Sequence, residues 1–324
     1  MNDLNGKLVT IFGGGGFAGR YVVQALCASG ARVRVAQRNT RVAGGLKTLG
    51  NLGQVSLAAC DVTKPASITN ALVGADMAVN LVGSFDNMDA VQRAGAGNVA
   101  QAAAGANSGA GLAALVHISA IGADVDSDAV YGRSKGAGEA AVRAAFPGAI
   151  ILRPSIVFGR EDAFINRFAG LIRMLPVVPV IGSGTKFQPV FVGDVAKAVV
   201  AALQRGAKDQ GGETLELGGP QVLSMLQLNE WIARATGRSG KLFVPVPDFA
   251  AKAMATGTGW LPGAPITSDQ FKMLGRDNVV SGVDGLAAYG ITPTPLDAVA
   301  EGWLDIYRKH GRFDGGQGNG TTAA

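Results

Sequence analysis

Tyr131 and Lys135 stand four residues apart in Tyr131-Gly-Arg-Ser-Lys135, a spacing that stacks both side chains on one face of a helix. An ammonium beside a phenol can lower its pKa, so that the phenol gives or takes a proton during hydride transfer. The same ammonium can hold the hydroxyls of a ribose. With four tyrosines and about a dozen lysines in the chain, position decides whether such a pair means anything, and this one follows the fifth strand-like run of the first half.

A second constellation lies at the start. Gly13, Gly16 and Gly19, with Gly15 and Phe17 in the same turn, fall between the run Leu8-Val-Thr-Ile-Phe12 and a helix-like segment. Gly13 permits a sharp turn, Gly16 lets a pyrophosphate approach the backbone, and Gly19 lets the helix pack on the strand; the helix N-terminus supplies oriented N–H groups. About 20 residues on, where a carboxylate would select NAD(H) by accepting from the ribose 2′-hydroxyl, the chain has Gln37 and Arg38. A guanidinium pairs with a 2′-phosphate and stacks on adenine, so NADP(H) is expected over NAD(H). Asp61-Val62, closing the third strand, is placed to touch the adenine, and Asn80-Leu81-Val-Gly83, closing the fourth, to flank the adenosine ribose. Both are also ordinary strand-to-helix transitions.

Six short apolar runs must carry these groups: Lys7–Phe12, Arg32–Ala36, Gln54–Ala58, Asp76–Val82, Leu112–Ser119 and Ala149–Leu152. Between them, segments 19–29, 65–73, 90–106 and 134–146 have helical spacing. The alternation predicts an α/β, Rossmann-like doubly wound parallel sheet with chemistry at the strand ends. Residues 1–154 read as the dinucleotide-binding domain and 155–313 as a smaller lid interleaved with the last strands. Helices are expected at 194–204, 225–236 and 296–309. The tail 314–324 has almost no apolar content and is expected to be disordered.

Composition excludes several alternatives. The 48 glycines in 324 residues are not periodic, which rules out collagen-like repeats. Cys27, Cys60, His117 and His310 make neither a disulfide framework nor a zinc set, so no metal is expected. The net charge of +5 is diffuse, without the basic run that nucleic-acid binding needs. Mean hydropathy is +0.24, yet no apolar run approaches the ~18 residues of a membrane span; Arg173, Pro176 and Pro179 break the longest. The N-terminus reads as entering a strand directly, without a targeting segment. A cytoplasmic protein is expected, with any attachment to the cytoplasmic face of the inner membrane peripheral.

Taken in order, Gly13/Gly16/Gly19, Asp61-Val62, Asn80, Tyr131/Lys135, Arg153-Pro154, Val157-Phe158-Gly159 and Gln188-Pro-Val-Phe-Val-Gly-Asp194-Val-Ala resemble the extended or atypical short-chain dehydrogenase/reductase superfamily. The resemblance adds Pro154 to the cofactor set and makes Ser119 the hydroxyl that polarises a substrate oxygen. That serine often falls where this chain has Ala120 or Ile121, in which case Tyr131 and Lys135 are a cofactor clamp without a complete catalytic set. A narrower resemblance rests on Thr10-Ile-Phe-Gly-Gly-Gly-Gly-Phe-Ala-Gly-Arg-Tyr-Val-Val, Asn80-Leu-Val-Gly, Phe146-Pro-Gly-Ala-Ile-Ile and Phe158-Gly-Arg-Glu-Asp-Ala-Phe-Ile-Asn-Arg-Phe-Ala169. It is to the dehydrogenase-like accessory subunits of respiratory complex I, NADH:ubiquinone oxidoreductase, and runs to about Lys309. It implies a tightly held NADPH with a structural role and a lid packed where the peripheral arm meets the membrane. Three functions follow: such an accessory or assembly subunit; a free-standing NAD(P)-dependent reductase or epimerase using Tyr131 and Lys135; and a sensor whose nucleotide occupancy controls a partner.

Two smaller motifs have local explanations. Glu161 and Asp162 suit the first turn of a helix. Phe164, Phe168, Leu171, Ile172, Leu175, Val177 and Val178 have the helical spacing of a core face, or of an exposed apolar patch.

Overall fold

The computed structural model describes residues 4–208, 211–258, 266–309 and 311; the expected disordered tail lies outside them. Six strands, β1 (Leu8–Phe12), β2 (Arg32–Gln37), β3 (Val55–Ala59), β4 (Met77–Asn80), β5 (Ala114–Ile118) and β6 (Ile150–Pro154), join the Thr214–Leu217 strand in one sheet. Its order is β3-β2-β1-β4-β5-β6 and then Thr214–Leu217, with every neighbouring pair parallel. The order reverses between β1 and β4, which opens a crevice at the carboxyl ends of those two strands.

Strand alternation divides the core between the faces of the sheet. Val9, Ile11, Val33, Val35, Val79 and Val116 pack under α1 (Phe17–Ala28) and the later helix Val192–Gly206. Phe12, Ala36, Ala78 and Leu115 face the other way, toward α2 (Pro65–Leu72), α3 (Gly95–Ala104) and α4 (Val130–Ala145). Burying each of the Val, Ile, Leu and Phe side chains contributes ~1.5–3 kcal/mol, and the alanines less. Pairing aligns Ala36, Phe12, Asn80 and His117 in one row across the sheet, level with the crevice.

Two helices differ from the sequence expectation in useful ways. α4 begins at Val130 rather than Ser134, which puts Tyr131 on the helix with Lys135. α3 is entered through a π-helical turn, Asp89–Ala94, whose buried Gln92 donates from Nε2 to the Ser84 carbonyl and so tethers the loop after β4. The expected helix over 296–309 is broken into Leu296–Val299, Glu301–Leu304 and a 3₁₀ turn, Asp305–Tyr307.

Beyond β6, α5 (Phe164–Met174) and the Met225–Ala235 helix pack with Trp303 and Leu304 around Phe158. Phe164, Phe168, Leu175 and Val178 join this core, whereas Val177 points outward. Asp162 is buried and accepts from the backbone N–H groups of Ile165 (2.6 Å) and Gly159 (3.3 Å), so it closes the α5 entry turn. A parallel ribbon pairs Val177–Ile181 with Leu242–Val246. No helix among the described residues is long and apolar enough to cross a membrane.

Candidate dinucleotide site

The glycine turn closes β1 as its spacing predicts. Gly13 has φ +80°, a conformation that side-chain-bearing residues rarely adopt, and its N–H donates to Ala36 O at 3.1 Å. A Cβ on Gly19 would lie 2.6 Å from Gly13 O and Gly14 Cα, whereas one on Gly16 would meet only Gly13 O, at 3.3 Å. Gly19 is therefore needed for α1 to sit on the turn, while Gly16 leaves the turn open at the helix start. Gly16 is also the N-cap of α1 and provides no side chain to satisfy the first-turn N–H groups, which leaves them for an anion. The Gln37 side chain occupies the space beside Gly15, where a Cβ would overlap it, and donates to Asn39 O.

Arg38 is exposed at the end of β2, and its charge reaches Asp61. The Asp61 carboxyl is held below the usual carboxylate range, chiefly by the Thr63 N–H and hydroxyl that donate to Oδ1 at 3.0 and 2.8 Å; Lys64 and Arg38 add to this. Val62 is buried, and its carbonyl accepts from Asn98 Nδ2 at 3.1 Å. A hollow of about 370 Å³ opens beside Gly15, lined by Arg20, Tyr21, Leu46 and Glu161 among others.

At the switch point, Asn80 Oδ1 accepts from Val82 N–H (3.1 Å), which fixes the amide so that Nδ2 donates to His117 Nδ1 (3.2 Å). The imidazole proton then sits on Nε2, buried with no hydrogen-bond partner among the described residues. Burial, with Lys135 adding, pushes the imidazole down to about 3, so it is neutral. Leu81 continues the turn, its N–H donating to Phe12 O.

Lys135 is buried, and its Nζ donates to the Ile118 carbonyl at 3.2 Å. A Cβ on Gly83 would lie 3.7 Å from that ammonium, so Lys135 and Gly83 share the crevice wall. Burial pushes Lys135 down to about 8, with Glu139 opposing; Glu139 is itself engaged by Arg153 at 2.8 and 2.6 Å. Ser119 N–H donates to Leu152 O, and its hydroxyl is buried with no hydrogen-bond partner among the described residues. Pro154 O accepts from Ile121 N–H at 3.0 Å and ties the Ser119–Ile121 turn to β6.

Tyr131 departs from the sequence expectation. Its phenol is pushed up to about 12 by burial, with no lowering by Lys135. Its ring stacks on Phe85 (centroids 5.1 Å apart, 23° between planes), an exposed residue of the loop after β4. Among the described residues the Tyr131 hydroxyl makes no hydrogen bond to Ser119 or Lys135. The structure thus brings Lys135, Gly83, Asn80 and the glycine turn together, and among the described residues it shows no hydrogen bond linking the Tyr131, Lys135 and Ser119 side chains. Sequence reasoning missed Phe85, His117 and Asp269, whose carboxylate accepts from the N–H groups of Val130 and Tyr131. Only Asp269 had a local signal, in Thr267-Ser-Asp-Gln270, a capping-box spacing.

The depressed lysine has a measurable consequence. In the unfolded chain Lys135 titrates near 10.4. Between pH 8 and that value the unfolded chain binds a proton that the folded one lacks, so stability rises with pH across the window. The melting temperature of the wild type minus that of Lys135→Met is therefore expected to increase from pH 8 to pH 10. A difference independent of pH would contradict the depression of Lys135 by burial.

Crevice, glycine turn and Lys135 fit a dinucleotide. Among the described residues no group of three or more His, Cys, Asp or Glu could hold a metal ion. The NAD dependent epimerase/dehydratase family model matches residues 9–218. The chain is 33% identical to "NADH dehydrogenase [ubiquinone] 1 alpha subcomplex subunit 9, mitochondrial" of Mus musculus, over 95% of this chain and 82% of the mouse protein. It is 34% identical to the Arabidopsis thaliana protein of that name, over 96% and 80%. An NADPH-dependent quinone oxidoreductase from Escherichia coli, solved with NADPH, shares the fold at a TM-score of 0.71 and 19% identity, over 91% of this chain and 99% of that one.

Proposed function

We infer function from the premise that the chain belongs to the NAD-dependent epimerase/dehydratase family and, within it, to the family of the mouse and Arabidopsis subunit 9 proteins. It binds a nicotinamide dinucleotide, and we propose that it is an NADP(H)-binding accessory or assembly subunit of a respiratory NADH:ubiquinone oxidoreductase, its nucleotide structural. The observation that carries the structural role is Tyr131. A phenol raised to about 12 by burial, stacked on Phe85 and with Lys135 donating to the Ile118 carbonyl instead, is poorly matched to proton transfer near neutral pH.

In this reading, the α1 N-terminus holds the pyrophosphate over Gly16 and Phe17, and Gly15, Gln37 and Arg38 take the 2′-phosphate end. Asp61 and Val62 flank the adenine, Asn80, Leu81 and Gly83 the adenosine ribose, and Lys135 the nicotinamide ribose, with Tyr131, Ser119 and Pro154 walling that end. When bound, the nucleotide supplies a hydride donor or acceptor that this site does not use. The smaller unit after β6 would face the junction of peripheral arm and membrane, with attachment peripheral.

A free-standing reductase or epimerase is the second reading, favoured by the shared α4 face of Tyr131 and Lys135. The two separate on purified protein. Denaturation is expected to release NADP(H) in near-stoichiometric amount, and a carbonyl, quinone and nucleotide-sugar panel to show no turnover. Turnover abolished by Tyr131→Phe would overturn the structural role in favour of the enzyme.

A further inference from the structure

The N-terminus of α4 lacks a cap of its own. Ala129 occupies the capping position and offers no side-chain acceptor to the first N–H groups of a 16-residue helix. The acceptor comes from 139 residues away. Asp269, on the short helix Ser268–Met273, accepts from Val130 N–H through one carboxylate oxygen and from Tyr131 N–H through the other, at 3.1 Å. A carboxylate there also complements the helix dipole.

Asp269 does not act alone. Along residues 267–280, Lys272 Nζ donates to Asp128 O (3.3 Å), Arg276 pairs with Asp124 (3.5 Å), and Asn278 Nδ2 donates to Ile121 O (3.3 Å). Four side chains thus hold the segment that runs from the end of β5 into the first turn of α4, with Ser119 at one end and Tyr131 at the other. The same segment is fastened to the second unit. Thr185 Oγ1 donates to Leu274 O (2.6 Å), Lys186 N–H donates to Asp277 Oδ1 (2.8 Å), and Asn278 N–H donates to Lys186 O (2.7 Å). Ser155 Oγ, at the end of β6, lies 2.7 Å from Asn278 Oδ1.

We propose that residues 267–280 form a strap coupling dinucleotide occupancy of the cleft to the smaller unit, with Asp269 as the positioning residue at the α4 end. The coupling rests on the reading of the cleft as a dinucleotide site. Nucleotide bound against Lys135 and Tyr131 orders the 119–131 loop from one side, and the strap orders it from the other. Whichever docks first removes part of the ordering cost of the second, so the two are reciprocal. The nucleotide then reaches the surface of the smaller unit without touching it.

The test uses the full chain with NADPH as probe. In the wild type, NADPH is expected to slow hydrogen exchange of the amides in 267–280. Asp269→Ala is expected to raise the NADPH Kd about tenfold, to abolish that protection, and to shrink the rise in melting temperature that NADPH produces. Asp269→Asn keeps one acceptor oxygen and is expected to recover part of all three. Should Asp269→Ala not fold, Lys272→Ala combined with Arg276→Ala leaves the cap in place and is expected to raise the Kd about threefold and to weaken the strap protection. Strap exchange indifferent to NADPH in the wild type would overturn the proposal. So would an Asp269→Ala protein destabilised equally with and without NADPH at unchanged Kd, since that is a structural cap and no coupling. A wild type that binds no NADPH would bring down the reading of the cleft, and the strap with it; binding with an indifferent strap removes the strap alone.

Discussion

Arg38→Asp is expected to weaken NADPH binding about a hundredfold and strengthen NADH binding about tenfold, turning the preference around. Arg38 is exposed at the end of β2, across from Asp61 and next to the Gln37 amide that lies on Gly15. Removing the guanidinium costs the charge-assisted hydrogen bonds to a 2′-phosphate, ~1.5–3 kcal/mol. The added carboxylate repels that phosphate and, for NADH, accepts from the 2′-hydroxyl in its place. Fluorescence titration of the nucleotide-free protein with each dinucleotide measures both constants. Equal affinities for NADPH before and after the substitution would place the 2′-phosphate elsewhere.

The second large effect separates two glycines of one turn. Gly19→Val drives a branched side chain into backbone, its Cβ 2.6 Å from Gly13 O and Gly14 Cα. α1 must then lift from the turn, at ~1–3 kcal/mol or more of overpacking. A fall in melting temperature of ~2–5 °C is expected, together with loss of measurable dinucleotide binding as the helix amides move. Gly16→Ala meets only Gly13 O at 3.3 Å, so its melting temperature is expected to stay within ~2 °C of wild type. Its methyl nevertheless stands where the pyrophosphate meets the helix start, and the Kd is expected to rise about a hundredfold. Wild-type affinity in Gly16→Ala would show that the nucleotide does not use this turn.

How much of this was legible depends on whether a signal is local. The six strands of the first half were readable because each is a short apolar run in a βαβ rhythm, and the observed ends differ by one or two residues. The glycine turn, Gln37, Arg38 and the Asn80 turn follow from strand ends, which period and punctuation locate well. The Tyr131–Lys135 spacing was legible too, but what burial does to each was not. Desolvation of the phenol and the engagement of Lys135 with Ile118 O depend on the loop after β4 and the end of β5, 46 and 17 residues away in sequence. The break of the 296–309 helix was hidden for a related reason: its apolar residues pack on Phe158 and Trp231, and that tertiary surface overrides a helical period. Asp269 is the extreme case, a cap supplied from 139 residues away to a helix whose own start shows no capping residue.

Native-gel electrophoresis of mildly solubilised membranes from the source cell, probing this chain alongside NADH dehydrogenase activity, tests the central claim most directly. The chain is expected to co-migrate with the large active band and to release NADP(H) when that band is denatured. A chain found wholly outside that band, in a soluble pool with NADP(H) turning over, would contradict the account and make this protein an enzyme in its own right.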